Sequence, residues 1–135
     1  MGDSKNLNFL KQWAILSKKI NSQISAKKYT QTEFLMMKFI ETEGPVTPAQ
    51  IGEGLSMKKP LVSRFLSDIE DKGFLHREID AFDKRTFALT LTDSGKNMLK
   101  ETEARMAKTA QEMLENLDAA EIDTIIKLLE KMVKE

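Results

Sequence analysis

The fold is decided by residues 47–95, TPAQIGEGLSMKKPLVSRFLSDIEDKGFLHREIDAFDKRTFALTLTDSG. This stretch contains two short helix signals followed by two strand signals. Residues 47–50 (TPAQ) have the form of a helix start, with a hydroxyl at the N-cap, Pro in the first turn and Gln three residues later. A tight turn is predicted at residues 56–58. A second helix begins at residues 59–60 and ends at Gly73, because Pro fits a first helical turn and Gly fits the position after the last. Two short helices joined by a tight turn predict a helix-turn-helix.

The next part of the chain has strand periodicity. Residues 74–79 (FLHREI) and 86–91 (TFALTL) are predicted strands, and the second places Phe, Leu and Leu on one face. Residues 80–85 (DAFDKR) form a polar hairpin tip between them. A helix-turn-helix followed by a hairpin is a winged helix. We therefore expect a mainly α fold with a small β-hairpin wing.

Amphipathic helices are predicted on both sides of this unit. Their apolar residues recur every three or four positions, and capping boxes start at Thr30 and Asp118. We expect one domain over residues 1–135, with a winged-helix lobe at 30–91 and dimerisation helices at 1–29 and 92–135. The terminal helices carry more apolar surface than the winged helix needs, and a two-fold homodimer would bury it.

Composition excludes several classes of protein. The chain has no Cys and one His, His76, so thiol sensing and a multi-histidine metal site are excluded and no cofactor or metal is expected. No nucleophile–base–acid set or Gly-rich phosphate loop is visible, so we do not expect an enzyme. No apolar run approaches the roughly 18 residues of a membrane span, and residues 1–6 lack the apolar core of a signal peptide. A cytoplasmic protein without a membrane partner is the expectation.

One stretch of the chain is locally basic, although the net charge of the protein is zero. Residues 56–67 contain Lys58, Lys59 and Arg64 and no acid. Such a local basic stripe binds phosphates even in a neutral protein. The alternative is an ordinary solvated face.

A helical wheel divides the second helix into two faces. Val62, Phe65, Leu66 and Ile69 gather on a core-facing side. Pro60, Ser63, Arg64 and Ser67 lie on the opposite side, where small side chains permit close approach and Arg can pair with guanine. Basic side chains of the wing, Arg77, Lys84 and Arg85, are placed to enter a minor groove.

Two segments carry a family resemblance. Residues 83–95 (DKRTFALTLTDSG) fit the pattern D-x-R-x-x-x-L-x-L-T-x-x-G, and residues 62–64 (VSR) and 72–75 (KGFL) are similar to a "VSR…KGL" segment. Both patterns are typical of the multiple-antibiotic-resistance regulator (MarR) family, which the order of elements also resembles over nearly the whole chain.

The resemblance implies a homodimer that binds a pseudo-palindromic operator in double-stranded DNA, usually as a repressor. It implies that Ser63 and Arg64 contact the major groove and that Arg85 contacts the minor groove. Asp83 is implied to orient Arg85 and to support the wing.

The chain departs from the family pattern at three positions. Pro60 and Leu61 stand where small hydroxylated residues are common, and Phe82 stands at the wing where a polar residue or Pro is usual. An exposed Phe82 would touch a DNA sugar or pack on the hairpin.

The predicted function is a sequence-specific DNA-binding transcriptional regulator. The alternative is a winged-helix module that binds protein and not DNA. The predicted DNA-binding residues are Thr47, Lys58, Lys59, Pro60, Leu61, Ser63, Arg64, Ser67, Arg77, Lys84 and Arg85.

A small apolar or phenolic effector is implied for many relatives, in a cleft between the lobes. Trp13, Met36 and Met37 are candidates to line such a cleft. Ordinary core packing is the alternative for all three, and we favour it.

Overall fold

Six helices and one two-stranded sheet make up the computed structural model, which describes residues 2–25 and 31–134. The elements in chain order are α1 (Gly2–Ser25), α2 (Gln31–Glu43), α3 (Pro48–Leu55), α4 (Lys59–Asp71), β1 (Leu75–Ile79), β2 (Phe87–Leu91), α5 (Asp93–Leu114) and α6 (Ala119–Val133). The predicted fold class, mainly α with a β-hairpin wing, is confirmed.

Reciprocal capping boxes fix two helix starts, those of α3 and α6. The Thr47 hydroxyl accepts a hydrogen bond from the Gln50 amide at 3.2 Å, and the Thr47 amide donates to Gln50 Oε1 at 2.9 Å. Asp118 and Glu121 form the same reciprocal pair. Both capping boxes are as predicted. The one predicted at Thr30 lies outside the described residues, and α2 begins at Gln31.

Two glycines shape the helix-turn-helix. Gly73 ends the second helix with φ +79°, and the next amide, Phe74 N, donates to Ile69 O at 3.3 Å, which is a Schellman-type end. Gly54 lies inside α3, where a Cβ atom would come 2.4 Å from Cε2 of Phe39. The absent side chain therefore lets the Phe39 ring pack directly on α3.

The hydrophobic core lies inside the winged helix and includes one position of α5. It is built from α2, α3, α4, the hairpin and α5: Phe34, Met36, Met37, Ile40, Val46, Ile51, Val62, Leu66, Ile69, Phe74, Leu75, Leu89, Leu91 and Leu99. Val46 and Leu89 exchange two backbone hydrogen bonds, of 3.2 and 2.7 Å, and so attach the α2–α3 connection to β2. The core thus holds the hairpin against the helices.

The hairpin is antiparallel, with Leu75 opposite Leu91 and Ile79 opposite Phe87. Leu89 and Leu91 are buried, as the alternation predicted. Each strand begins one residue later than predicted, at Leu75 and Phe87.

Two ion pairs join helices that are distant in sequence. Lys72 Nζ, at the end of α4, donates to Oε2 of the buried Glu33 of α2 at 2.7 Å. Lys38 of α2 lies 2.8 Å from Glu103 of α5 and 3.0 Å from Glu41. Hydrogen bonds to Glu103 and then Glu41 raise the pKa of Lys38 above its ordinary value of 10.5.

The terminal helices are far more exposed than the rest. α1 packs mainly along α5, yet several of its large apolar side chains remain open to solvent: Leu7, Phe9, Leu10, Trp13 and Ile15. α6 has no buried residue at all, and Ile126, Leu128, Met132 and Val133 are exposed. In the described part of the chain, no helix is long and apolar enough to cross a bilayer.

Candidate nucleic-acid interface

The outer face of α4 has the side chains that the wheel predicted. Val62, Leu66 and Ile69 are buried, whereas Ser63 and Arg64 are exposed. The Arg64 guanidinium lies 5.0 Å from the centroid of the neighbouring Phe65 ring, which is a cation–π contact. Pro60 and Ser67 are exposed on the same helix.

The start of α4 is basic and exposed. Lys58 is the N-cap, with no side-chain capping bond, and both Lys58 and Lys59 are exposed. Leu61 is partly exposed beside them. The first turn of a helix also carries a partial positive charge, so this end of α4 attracts anions. Thr47, by contrast, uses its hydroxyl to cap α3.

The wing tip, residues 80–86, is held by two carboxylates. Oδ2 of Asp80 accepts from the amides of Phe82 (3.2 Å) and Asp83 (2.8 Å). Oδ1 of Asp83 accepts from the amide and from Nε of Arg85, both at 3.0 Å, and Oδ2 accepts from Nη2 at 3.3 Å. The side chain of Arg85 is nevertheless 91% exposed. The tip is thus a fixed turn that presents a cation to solvent.

The contacts with Arg85 lower the pKa of the Asp83 carboxyl. The side-chain hydrogen bonds from Arg85, followed by its backbone amide, hold the pKa of Asp83 below its ordinary value of 3.8. A charged Asp83 is what keeps the guanidinium in place.

Arg77, unlike the other predicted DNA contacts of the wing, has its guanidinium between α4 and β2. Its Nε donates to Glu70 of α4, and its guanidinium lies 4.2 Å from the centroid of the Phe87 ring on β2. Arg77 therefore connects α4 to both strands of the wing. The sequence predicted a DNA contact for Arg77 but not its contact with Glu70, because no local pattern joins a helix end to a strand beyond a turn.

Thr92 ties the same elements together from the other side. Its hydroxyl donates to Gly73 O at 2.7 Å and accepts from Gly95 N at 3.0 Å. Its amide donates to Phe74 O at 3.0 Å. One residue thus joins the end of α4, the exit of the wing and the start of α5.

The candidate effector residues lie in different environments. Met36 and Met37 are fully buried in the core, whereas Trp13 is half-exposed on α1 and stacks on Phe9 at 6.4 Å between centroids. The burial of both methionines fits the core-packing alternative, because a ligand would have to displace them from the core. Within residues 2–25 and 31–134, no three His, Asp or Glu side chains cluster in a way that could hold a metal ion.

The fold and this surface define a winged helix-turn-helix protein: a second helix exposing Ser63 and Arg64, followed by a hairpin exposing Arg85. Residues 29–87, which span the lobe from the start of α2 into β2, match the model of the MarR family. Over these residues the chain is similar to the MarR family.

Solved structures show the same fold over nearly the whole length. A MarR mutant from E. coli, complexed with operator DNA, is 23% identical with a TM-score of 0.81, and the match covers 99% of this chain and 95% of that one. FabT from Streptococcus pneumoniae, in complex with DNA, is 18% identical with a TM-score of 0.80, over 98% and 94% of the two chains. The S. aureus MepR–DNA complex is 21% identical with a TM-score of 0.79, over 95% of each chain.

Proposed function

We propose that this protein is a sequence-specific DNA-binding transcriptional regulator that binds a pseudo-palindromic operator as a homodimer and represses transcription. The observation that carries the proposal is the exposed Ser63–Arg64 face of α4 beside a wing tip that presents Arg85. A recognition helix enters the major groove by its N-terminal half, and a wing arginine fits the negative potential of a narrow minor groove. The MarR, FabT and MepR structures of the same fold, which hold DNA, support this use of the surface.

Each side chain has its own part in the proposed contact. Arg64 and Ser63 contact base edges, Arg85 enters the minor groove, and Lys58 and Lys59 contact phosphates. Pro60, Leu61 and Ser67 of α4 and Lys84 of the wing tip are also exposed and complete the proposed contact set. We assign Arg77 to positioning the wing, because its guanidinium is engaged by Glu70 and Phe87.

The exposed apolar faces of α1 and α6 support the homodimer. Exposed apolar patches of this kind mark interfaces, and an α6 without a buried residue needs a partner to cover its stripe. A two-fold dimer would present two α4 helices to half-sites about one helical turn apart. The terminal helices, 1–29 and 92–135, are in this proposal the dimerisation unit of the lobe at 30–91.

The test is selection of duplexes from a random pool, followed by fluorescence-anisotropy binding across salt concentrations. We expect enrichment of a pseudo-palindrome and a linear fall of log affinity with log salt concentration, because several phosphates are neutralised. Replacing Arg64 or Arg85 singly by Ala should weaken binding by roughly 1–3 kcal/mol. A selected sequence without dyad symmetry would disprove the two-fold arrangement. The selected duplex would also serve to screen small apolar and phenolic molecules for release of DNA.

A protein-binding module is the second candidate, favoured by the zero net charge and the exposed Asp68 and Asp71 on the C-terminal half of α4. It predicts no enriched duplex, and no effect of Arg64→Ala or Arg85→Ala on weak low-salt binding.

A further inference from the structure

The wing tip presents an aromatic side chain that the proposed function does not use. Phe82 is 99% exposed, although the other phenylalanines of the lobe are buried or packed against the core: Phe34, Phe39, Phe65, Phe74 and Phe87. The ring therefore does not pack on the hairpin. Full exposure leaves an apolar side chain available to any partner the wing meets.

The backbone below the ring is already fixed. Oδ2 of Asp80 accepts from the Phe82 amide at 3.2 Å and from the Asp83 amide at 2.8 Å, and the Thr86 amide closes the turn on Asp83 O at 3.2 Å. A side chain carried by such a turn loses little backbone freedom on binding.

Two cations follow the ring on the same turn. Lys84 and Arg85 are exposed, and Asp83 holds the guanidinium of Arg85. An apolar ring beside two cations matches a minor groove, where phosphates attract the charges and the base stack accepts an apolar wedge. A purely apolar groove of a protein partner would bury those charges without compensation.

We propose that Phe82 is a minor-groove wedge: its ring enters a base step next to the site of Arg85 and partly unstacks it. The wing then favours pyrimidine–purine steps such as TA and CA/TG, which unstack easily, without any hydrogen bond to a base. This inference rests on the proposed function.

The experiment compares two duplexes derived from the selected operator. One carries a TA step at the position reached by the wing, and the other carries an AA step of a stiff A-tract there. Anisotropy gives the affinities of wild type, Phe82→Ala, Phe82→Leu and Ile79→Ala, where Ile79→Ala is the matched control because it removes another exposed apolar side chain of the wing. A 2-aminopurine base at the step reports unstacking. Thermal unfolding should be the same for Phe82→Ala and wild type, because the ring makes no core contact.

Relative to the AA duplex, wild type should bind the TA duplex more favourably than Phe82→Ala does, and it should raise the 2-aminopurine fluorescence. Phe82→Ala should lose roughly tenfold in affinity for TA and much less for AA, with an unchanged salt dependence and no fluorescence rise. Phe82→Leu and Ile79→Ala should keep the preference. Equal affinities for wild type and Phe82→Ala, or an equal loss on both duplexes without a fluorescence difference, would overturn the wedge while leaving DNA binding intact. Failure of the wild type to enrich any duplex would overturn the proposed function, and the wedge with it.

Discussion

The winged-helix lobe and the terminal helices bury their apolar side chains to very different degrees. In the lobe, Met36, Met37, Ile51 and Leu89 are completely buried, and the exposed side chains are mostly polar. α6 has a comparable apolar stripe, yet none of its residues is buried. The lobe therefore has a complete core within one chain, whereas the terminal helices leave apolar surface exposed that the proposed homodimer would bury.

The largest expected effect is on the core of the lobe. Leu89→Ala should lower the free energy of unfolding by about 2–5 kcal/mol at every protein concentration, because it leaves a cavity within one chain. Leu128→Ala removes the same atoms from α6, where the side chain is 53% exposed. The loss of unfolding free energy should be smaller and should disappear as the protein is diluted, because in the proposed dimer that side chain is buried only between the two chains. Urea unfolding at several protein concentrations measures both, and equal, concentration-independent losses would remove the distinction between the two regions.

A charge in the apolar stripe of α6 should weaken the proposed dimer while the winged-helix lobe stays folded. Ile126→Asp should weaken dimerisation at least about 100-fold, because a carboxylate buried in an apolar interface costs several kcal/mol. Lys127→Asp adds a carboxylate on the opposite face and should leave the dimer intact. Sedimentation equilibrium gives the dissociation constants, and circular dichroism should show that the lobe stays folded. A dimer that survives Ile126→Asp would exclude this face of α6 from the interface.

Local signals were enough to predict much of the fold. The caps at Thr47 and Asp118 and the helix end at Gly73 each depend on side chains or backbone angles within a few residues, and all three are confirmed. The two faces of α4 followed from helical periodicity alone, and the burial of Val62 and Ile69 agrees with them.

Contacts between elements were the part that sequence could not supply. The pairing of Glu33 with Lys72 and the packing of Phe39 on Gly54 depend on how the helices meet, which no spacing in the sequence states. Arg77 shows the consequence: its basic side chain and its place in the wing predicted a DNA contact, but they could not predict its contacts with Glu70 and Phe87, which connect the wing to α4.

The contact between Glu70 and Arg77 can be tested by the sign of a change in DNA affinity, which distinguishes an acid that positions the wing from one that only repels phosphates. Glu70→Gln should lower specific DNA affinity several-fold, because the wing loses its fixed position beside α4. An acid that merely repelled phosphates would give the opposite result on removal, a gain in affinity. Asp71→Asn is the matched control, an exposed acid of the same helix outside this contact, and should raise affinity slightly.

The stability change from Glu70→Gln should be within about 1 kcal/mol, since both partners of the pair are half-exposed. Anisotropy on the selected duplex and urea unfolding give the two quantities. A gain in affinity for both variants would return Arg77 to the DNA-contacting set.

The smallest expected effect concerns the protonation of the wing tip. Asp83 should titrate below its ordinary value of 3.8, because Arg85 donates hydrogen bonds to the carboxylate from its side chain and its amide. A carboxyl whose folded-state pKa is lowered contributes to stability above its unfolded-state pKa, and loses that contribution as the pH falls through the folded-state value. Carboxyl carbon chemical shifts across an acid titration measure this pKa.

Arg85→Ala should raise the pKa of Asp83 only part of the way to 3.8, because the variant loses the guanidinium but keeps the backbone amide. Lys84→Ala is the control and should leave the titration unchanged. The same titration also compares the winged-helix lobe with the terminal helices. In a monomeric Ile126→Asp variant, the pKa of Asp83 should be the same as in wild type, because the wing belongs to the lobe, whose core is complete in one chain. A titration that moved with the loss of the dimer would mean that the wing tip depends on the terminal helices after all.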